Sequence, residues 1–202
     1  MSENDRTRWN VRYRDRPGDL DPSPLLTDHV HLAPFGRALD IACGNGRNSL
    51  FLADRGFLVD AVDISDVATA PLRGRHPNLR VLCLDLDTWT FPPESYDLIV
   101  NIRFLDRRLF ALILAGLRPG GLLVFEAFQG SDADPYTLAP GELRRAFGGL
   151  DILLYRESPP DPPERPRGTA AMAARRPAAS SSQPPGQGLF SRSTLSTRAV
   201  DG

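Results

Sequence analysis

Seven short apolar runs punctuate this chain, at about 38–43, 57–62, 79–84, 96–100, 122–128, 150–155 and 169–174. The first, Ala38 to Cys43, is almost wholly apolar, as a strand buried on both faces must be. Between the runs the period changes. From Arg47 to Arg55, Leu50, Phe51 and Ala53 supply the buried face of a helix, and Gly56 stands where a C-cap glycine belongs. Residues 104–117 place apolar side chains at 105, 109, 112, 113 and 117, again helical. Arg118-Pro-Gly-Gly121 closes that helix and turns into the strand 122–128. Ser23-Pro24 opens an earlier helix, with Ser23 as N-cap and Pro24 at the first helical position. Pro140 to Phe147 forms a short one, halted by Gly148-Gly149.

Strand and helix therefore alternate, which predicts an α/β fold: a doubly wound, mostly parallel sheet with helices on both faces. The run 169–174 is expected to return as a C-terminal antiparallel strand. One crossover is unusual. Pro71 and Gly74 forbid a long helix between Ser65 and Pro77, leaving one or two turns or a loop. Five prolines between Ser158 and Arg167 exclude a strand or helix interior there. From Pro177 on, Ser, Pro, Gly and Gln dominate, and disorder is expected. The organisation read from this is an N-terminal arm or lid over 1–21, one domain over 22–176 and a low-complexity tail over 177–202.

Composition narrows the function. The net charge of −1 gives no reason to expect nucleic acid. All 24 basic residues are arginine, so Schiff-base lysine chemistry and a P-loop lysine are excluded. No apolar run reaches the 18 residues that span a bilayer, and the charged N-terminus has no secretory h-region, so a cytoplasmic protein without a membrane partner is expected. Cys43 and Cys83 are the only cysteines and read as buried thiols. His29 and His31 lie two apart, poor spacing for joint ligation, so no metal site is expected. Nothing in the sequence bears on oligomeric state.

The candidate chemistry sits at the carboxyl ends of the strands, where open α/β sheets bind ligands. Gly44 and Gly46 follow the first strand and allow positive φ and close approach to bare backbone. Asp63 ends the second strand, about twenty residues on, and is placed either to accept from ribose hydroxyls or to start the helix at Ser65-Asp66. Ile64 beside it can lie on a purine face. Asp85 ends the third strand and can accept from an exocyclic amine with Leu86 stacked on the same ring; it is equally a turn acid. Asn101 ends the fourth. In the arm, Trp9 and Tyr13 share a helix face at i, i+4, while Arg12, Arg14, Arg103, Phe104 and Tyr136 are the substrate-side candidates. An arginine there can hold an anion, although surface arginines are commonly solvated.

The segments ALDIACGNGRNS, AVDIS, LDLDTW, SYDLIVNIRFLDR and LRPGGLLVFEAF, in this order, resemble the class I S-adenosylmethionine-dependent methyltransferases. Within these they are similar to the branch that includes the tellurite-resistance methyltransferases, over roughly residues 9–176. The pattern Asp40-x-Ala42-x-Gly44-x-Gly46 stands for motif I, with Ala42 in place of the usual first glycine. The resemblance implies a Rossmann-like methyltransferase sheet and S-adenosyl-L-methionine as cofactor. It implies that the backbone of Ala42, Gly44 and Gly46 holds the methionine part, and that Asp63 takes the ribose. Ile64 and Leu86 would face the adenine, Asp85 its amine, and Asn101 the reacting sulfonium. It implies methyl transfer to a small-molecule nucleophile, such as a thiol, a metalloid oxyanion or another metabolite. No side-chain catalyst is needed, and none is assigned. The short crossover at Pro71 and the proline-rich C-terminal region depart from the family pattern. Two other readings compete. One is an NAD(P)-dependent oxidoreductase, which Ser49 in place of a third loop glycine disfavours; the other is a methyltransferase fold used as a non-catalytic binding module.

Overall fold

The run expected to be the first strand becomes β1 (Arg37–Ile41), an interior strand of a seven-stranded sheet in the computed structural model. Residues 3–16, 18–130, 134–159 and 167–178 are described; the expected disorder of the tail beyond 178 and most of the proline-rich loop lie outside them. In chain order follow β2 (Leu58–Asp63), β3 (Leu79–Cys83), β4 (Tyr96–Ile102), β5 (Leu117–Gln129), β6 (Asp151–Ser158) and β7 (Gly168–Arg175). Their order across the sheet is β3-β2-β1-β4-β5-β7-β6. All pairings from β3 to β5 are parallel, and β7 runs antiparallel between β5 and β6. The sheet is thus mixed and mostly parallel, as its apolar pattern predicts. The order reverses at β1, whose neighbours β2 and β4 lie on opposite sides, so a crevice opens at their carboxyl ends.

The strands are apolar on both faces because both are covered. On one face Leu39, Ile41, Ile99, Leu123 and Phe125 pack with Ile113 of α5 (Leu109–Gly116) and Leu143 of α6 (Glu142–Ala146). On the other, Ala38, Leu98, Val100 and Val124 pack with Leu25 and Leu26 of α2 (Pro24–His29) and with Leu52 of α3 (Arg47–Asp54). The helix α1 (Glu3–Asp15) carries no buried residue of its own. The short crossover is α4 (Asp66–Thr69), continued by a single 3-10 turn over 70–72, as Pro71 requires.

Two expected boundaries move. The helix expected from Phe104 starts at Leu109, because Asp106 intervenes. Its carboxylate accepts the Arg108 N–H at 3.0 Å and pairs with the Arg108 guanidinium, a local side-chain bond that replaces helical turns. The Arg118–Gly121 turn lies inside β5 rather than before it. Tyr96 pairs with Leu117 and Leu98 with Leu122, so the turn is a bulge. Gly120, at φ +80°, donates to the Arg176 carbonyl, and Arg176 donates back to the Gly121 carbonyl.

A buried charge network lies at the opposite, amino-terminal half of the sheet. Asp60 on β2 is paired with Arg37 on β1 at 3.0 Å and with Arg80 on β3 in a two-pronged contact at 2.7 and 2.8 Å. The Tyr96 hydroxyl on β4 donates to it at 2.9 Å. Four strands are thereby joined through one carboxylate, well away from the crevice.

Candidate functional site

The loop after β1 is built from alternating left-handed residues: Ala42 at φ +52°, Gly44 at +56° and Gly46 at +76°. This conformation costs a non-glycine residue about 1–2 kcal/mol, which is why a glycine at position 42 would be the unstrained choice. The Asp63 carboxylate holds the loop in place. One oxygen accepts the Gly44 N–H at 2.8 Å and the other the Ser65 N–H at 2.8 Å. Burial pushes the Asp63 carboxyl up, while the backbone donors Ser65 and Gly44 pull it down. Ser65 also caps α4, its hydroxyl accepting from Ala68 N–H at 3.2 Å.

Asp40 lies behind this loop rather than in the crevice. It is 1% exposed and accepts from the Ser49 hydroxyl at 2.5 Å, which fastens the start of α3 to β1. Burial pushes its carboxyl up to about 7, and the Ser49 bond only partly offsets that. Ser49, which breaks a dinucleotide fingerprint, is therefore the partner of the motif's own acid. Cys43 and Cys83 are both free thiols, Cys43 buried and Cys83 half-buried.

Helix α1 lies across the loop. Tyr13 stands so close over Gly44 that a Cβ there would overlap its hydroxyl. Burial raises the Tyr13 pKa, and the nearby Asp63 carboxylate raises it further. The rings of Trp9 and Tyr13 are 6.1 Å apart on the same side of the helix, as their spacing predicts. Asn10 anchors the helix: its Oδ1 accepts from the Ser65 hydroxyl at 2.6 Å, and its Nδ2 donates to Asp66 at 2.6 Å. A lone asparagine in a charged segment carries no sequence signal for this role. The same is true of Asp19, which pairs with Arg47 at 3.4 Å and Arg103 at 3.3 Å and ties the chain after α1 to the site.

A cavity of about 400 Å³ lies between α1 and the strand ends, with Ala42, Gly44, Asp63 and Ile64 in its wall opposite Trp9 and Tyr13. A second, of about 1270 Å³, is walled in part by Arg12, Arg103, Phe104 and Tyr136. Of the remaining predicted residues, Asp40, Gly46, Asp85, Leu86, Asn101 and Arg14 line neither. Gly46 packs on Leu72. Asp85 forms a turn, accepting the Asp87 N–H at 2.9 Å. Leu86 is 3% exposed and belongs to the core with Ile41 and Val62. Asn101 donates to the Phe104 carbonyl at 2.7 Å and so shapes the loop carrying Arg103 and Phe104. Arg103 itself has φ +59°, a strained conformation at the rim of both cavities. Phe128 lines both as well, and its position at the end of an apolar strand gave no sign of that.

Among the described residues, no group of His, Cys, Asp or Glu is suited to hold a metal ion. Nor is any helix among the described residues long and apolar enough to cross a membrane.

The pattern of the family described as "Methyltransferase domain" matches residues 38–121, from β1 to the bulge in β5. The crystal structure of the Burkholderia thailandensis 1,6-didemethyltoxoflavin-N1-methyltransferase, with its substrate and S-adenosylhomocysteine bound, superposes with TM-score 0.66 at 19% identity, covering 85% of this chain and 87% of that one. The fold is that of the class I methyltransferases. TehB from Haemophilus influenzae shares this methyltransferase fold too, at TM-score 0.65 and 20% identity over 84% of this chain and 67% of that one. Among curated relatives, the ubiquinone biosynthesis O-methyltransferase of Coxiella burnetii is 30% identical over 146 residues, 66% of this chain and 62% of that one. The chain thus spans about three fifths of the length of that relative. The likenesses extend across several methyltransferases and do not single out one branch of the fold.

Proposed function

We propose that this methyltransferase-fold protein binds S-adenosyl-L-methionine and transfers its methyl group to a small-molecule nucleophile. One observation carries the reading: the 400 Å³ cavity at the switch point of the sheet has the bare backbone of Gly44 and the carboxylate of Asp63 in one wall. Its size lies within the usual range of small-molecule sites, about 300–1,000 Å³.

The residues present fit the cofactor. A carboxylate has about four acceptor positions, so Asp63 can keep its two backbone donors and still accept from a ribose diol. Gly44, free of a side chain, admits the methionine part once Tyr13 yields its place over the loop. Ile64 covers one face of the adenine. The adenine contacts proposed for Asp85 and Leu86 require the 84–88 segment to rearrange, since Leu86 is packed in the core. Asp40 and Gly46 support the cradle from behind, and Asn101 positions the Arg103-Phe104 loop.

When bound, the cofactor supplies a sulfonium methyl that is already activated. The chain's task is to orient the acceptor and exclude water, and orientation of this kind is worth about 7–11 kcal/mol. Helix α1 does both: it roofs the cavity with Trp9 and Tyr13 and brings Arg12 to the acceptor side, where Arg103, Phe104 and Tyr136 also stand. Arg14 has no place in this arrangement. The resemblance to the tellurite-resistance methyltransferases keeps a metalloid oxyanion among the acceptors, beside thiols and metabolite hydroxyls or amines.

The oxidoreductase reading loses ground to the sheet order. Dinucleotide-binding sheets run 3-2-1-4-5-6 with parallel strands, whereas here β7 is inserted antiparallel before β6. A thermal-shift experiment tests the proposal. S-adenosylhomocysteine at a hundredfold its dissociation constant stabilises by about 2.7 kcal/mol, which raises the melting temperature of a chain this size by about 5–10 °C. NAD is expected to leave it unchanged. The opposite pattern overturns the reading. Stabilisation without transfer of labelled methyl across an acceptor screen would favour a binding module.

A further inference from the structure

The cavity of about 1270 Å³ and the cofactor-sized one share part of their walls: Trp9, Arg12, Arg16, Arg103, Phe104 and Phe128 belong to both. A molecule in the larger space therefore meets one in the smaller across that rim.

Most arginines around the larger cavity are neutralised by a carboxylate. Arg8 pairs with Asp5 at 3.0 Å, Arg107 with Glu142 at 2.6 Å, Arg108 with Asp87 at 2.6 Å and Arg167 with Asp134 at 2.9 Å. Arg12 and Arg16 differ. Among the described residues neither makes an ion pair, and Asp15 is the only carboxylate of that wall without a cation of its own. Arg12 rests on the Trp9 ring, 5.8 Å from its centroid. A guanidinium stacked in this way keeps its N–H fork free to grip a carboxylate or phosphate. The uncharged part of the wall is apolar and mainly aromatic: Trp9, Phe104, Phe128 and Tyr136, the last 58% exposed, with Val11, Leu105 and Pro135 between them. Exposed rings in a concave wall find their burial on a ligand. Size then decides between anions. A bare oxyanion takes the room of about three water molecules, roughly 100 Å³, and would leave most of this cavity and all of its rings unused.

We propose that the larger cavity receives the methyl acceptor, and that the acceptor is an organic anion, a carboxylic acid or phosphate ester with a flat apolar body. Arg12 and Arg16 hold its anionic group at the shared rim, and the aromatic side chains cover its body. The assignment rests on the methyltransferase reading of the smaller cavity.

Calorimetric titration tests it with three probes, 2-naphthoate, its neutral analogue 2-naphthamide, and selenite, each with and without saturating S-adenosylhomocysteine. The naphthoate is expected to bind at least tenfold more tightly than the amide and than selenite. In Arg12→Gln/Arg16→Gln, the acid-to-amide ratio is expected to fall to within about twofold; should that variant fail to fold, Arg16→Gln alone is expected to lower the ratio at least threefold. Equal binding of acid and amide by the wild type overturns the anionic assignment. Selenite binding as tightly as naphthoate overturns the organic body, and a ratio unchanged in the variants overturns the role of the two arginines. Failure of S-adenosylhomocysteine to bind at all, with the acid-to-amide ratio intact, would instead count against the cofactor reading and against the larger cavity as an acceptor site.

Discussion

The Asp63 carboxylate accepts the backbone N–H of Gly44 at 2.8 Å, tying the end of β2 to the loop that follows its neighbour β1. The structure shows one of the two sequence readings of Asp63 directly and leaves room for the other. The carboxylate starts the α4 turn through the Ser65 N–H, and it still faces the cavity beneath Gly44. The loop's shape depends on this carboxylate, and under the proposed function ligand recognition would depend on it too; the predictions below separate its role from those of its neighbours.

Asp40 gives the protein a pH signature. Its carboxyl titrates at about 7 in the folded chain and near 3.9 in an unfolded one. Between these values the folded state binds the proton more tightly, so stability from this group is fullest below about pH 4, falls as pH rises and levels off above about 7. Asp40→Asn keeps an acceptor for Ser49 and removes the loss. Urea denaturation is expected to show the variant gaining on the wild type between pH 4 and 8, by at most about 4 kcal/mol. A stability difference that does not change with pH would contradict the buried-acid account.

Gly46 tests the loop without touching the cavity wall. A Cβ there meets Leu72, itself buried, and the residue has φ +76°. Gly46→Ala is expected to cost about 2–3 kcal/mol, seen as a lower midpoint of chemical unfolding. A loss under about 0.5 kcal/mol would mean that the loop relaxes freely.

Asn10 is the anchor by which α1 can act as a lid. Asn10→Ala removes two hydrogen bonds to Ser65 and Asp66, each worth about 0.5–1.5 kcal/mol. Amide exchange across residues 6–15 is expected to quicken about tenfold in the variant, with the central strands unaffected. In the wild type, S-adenosylhomocysteine is expected to slow exchange over the same residues. Fast exchange there with ligand bound, while the Gly44 loop becomes protected, would deny α1 a closing role.

The parts of the site legible in the sequence were those set by local rules. A glycine pair after an apolar run and an acid at the end of the next run locate the Gly44–Gly46 loop and Asp63, of which Gly44 and Asp63 line the smaller cavity, because strand ends and left-handed backbone leave a local imprint. The Trp9/Tyr13 face was legible for the same reason, through helical spacing. What escaped is non-local. Nothing local marks Asp60 within the apolar run 57–62, and its partners Arg37, Arg80 and Tyr96 come from three other strands. Asn10 acts through residues more than fifty positions away, and Asp19 through the first residue of α3 and the loop after β4. Leu86 was expected on an open ring-binding face; in this structure the segment after β3 folds it inward beside Ile41 and Val62, with Leu84 and Trp89 packed against the same core.

The central claim is that Asp63 and the Gly44 loop bind S-adenosylmethionine. Calorimetric titration of S-adenosylhomocysteine into the wild type and into Asp63→Asn and Asp63→Ala, with folding checked by circular dichroism, tests it most directly. Hydrogen bonds to a charged acceptor contribute about 1.5–3 kcal/mol, so the account predicts saturable binding to the wild type, weakened about ten- to a hundredfold in the folded variants. Unchanged affinity in a folded Asp63 variant, or no binding by the wild type, would contradict it.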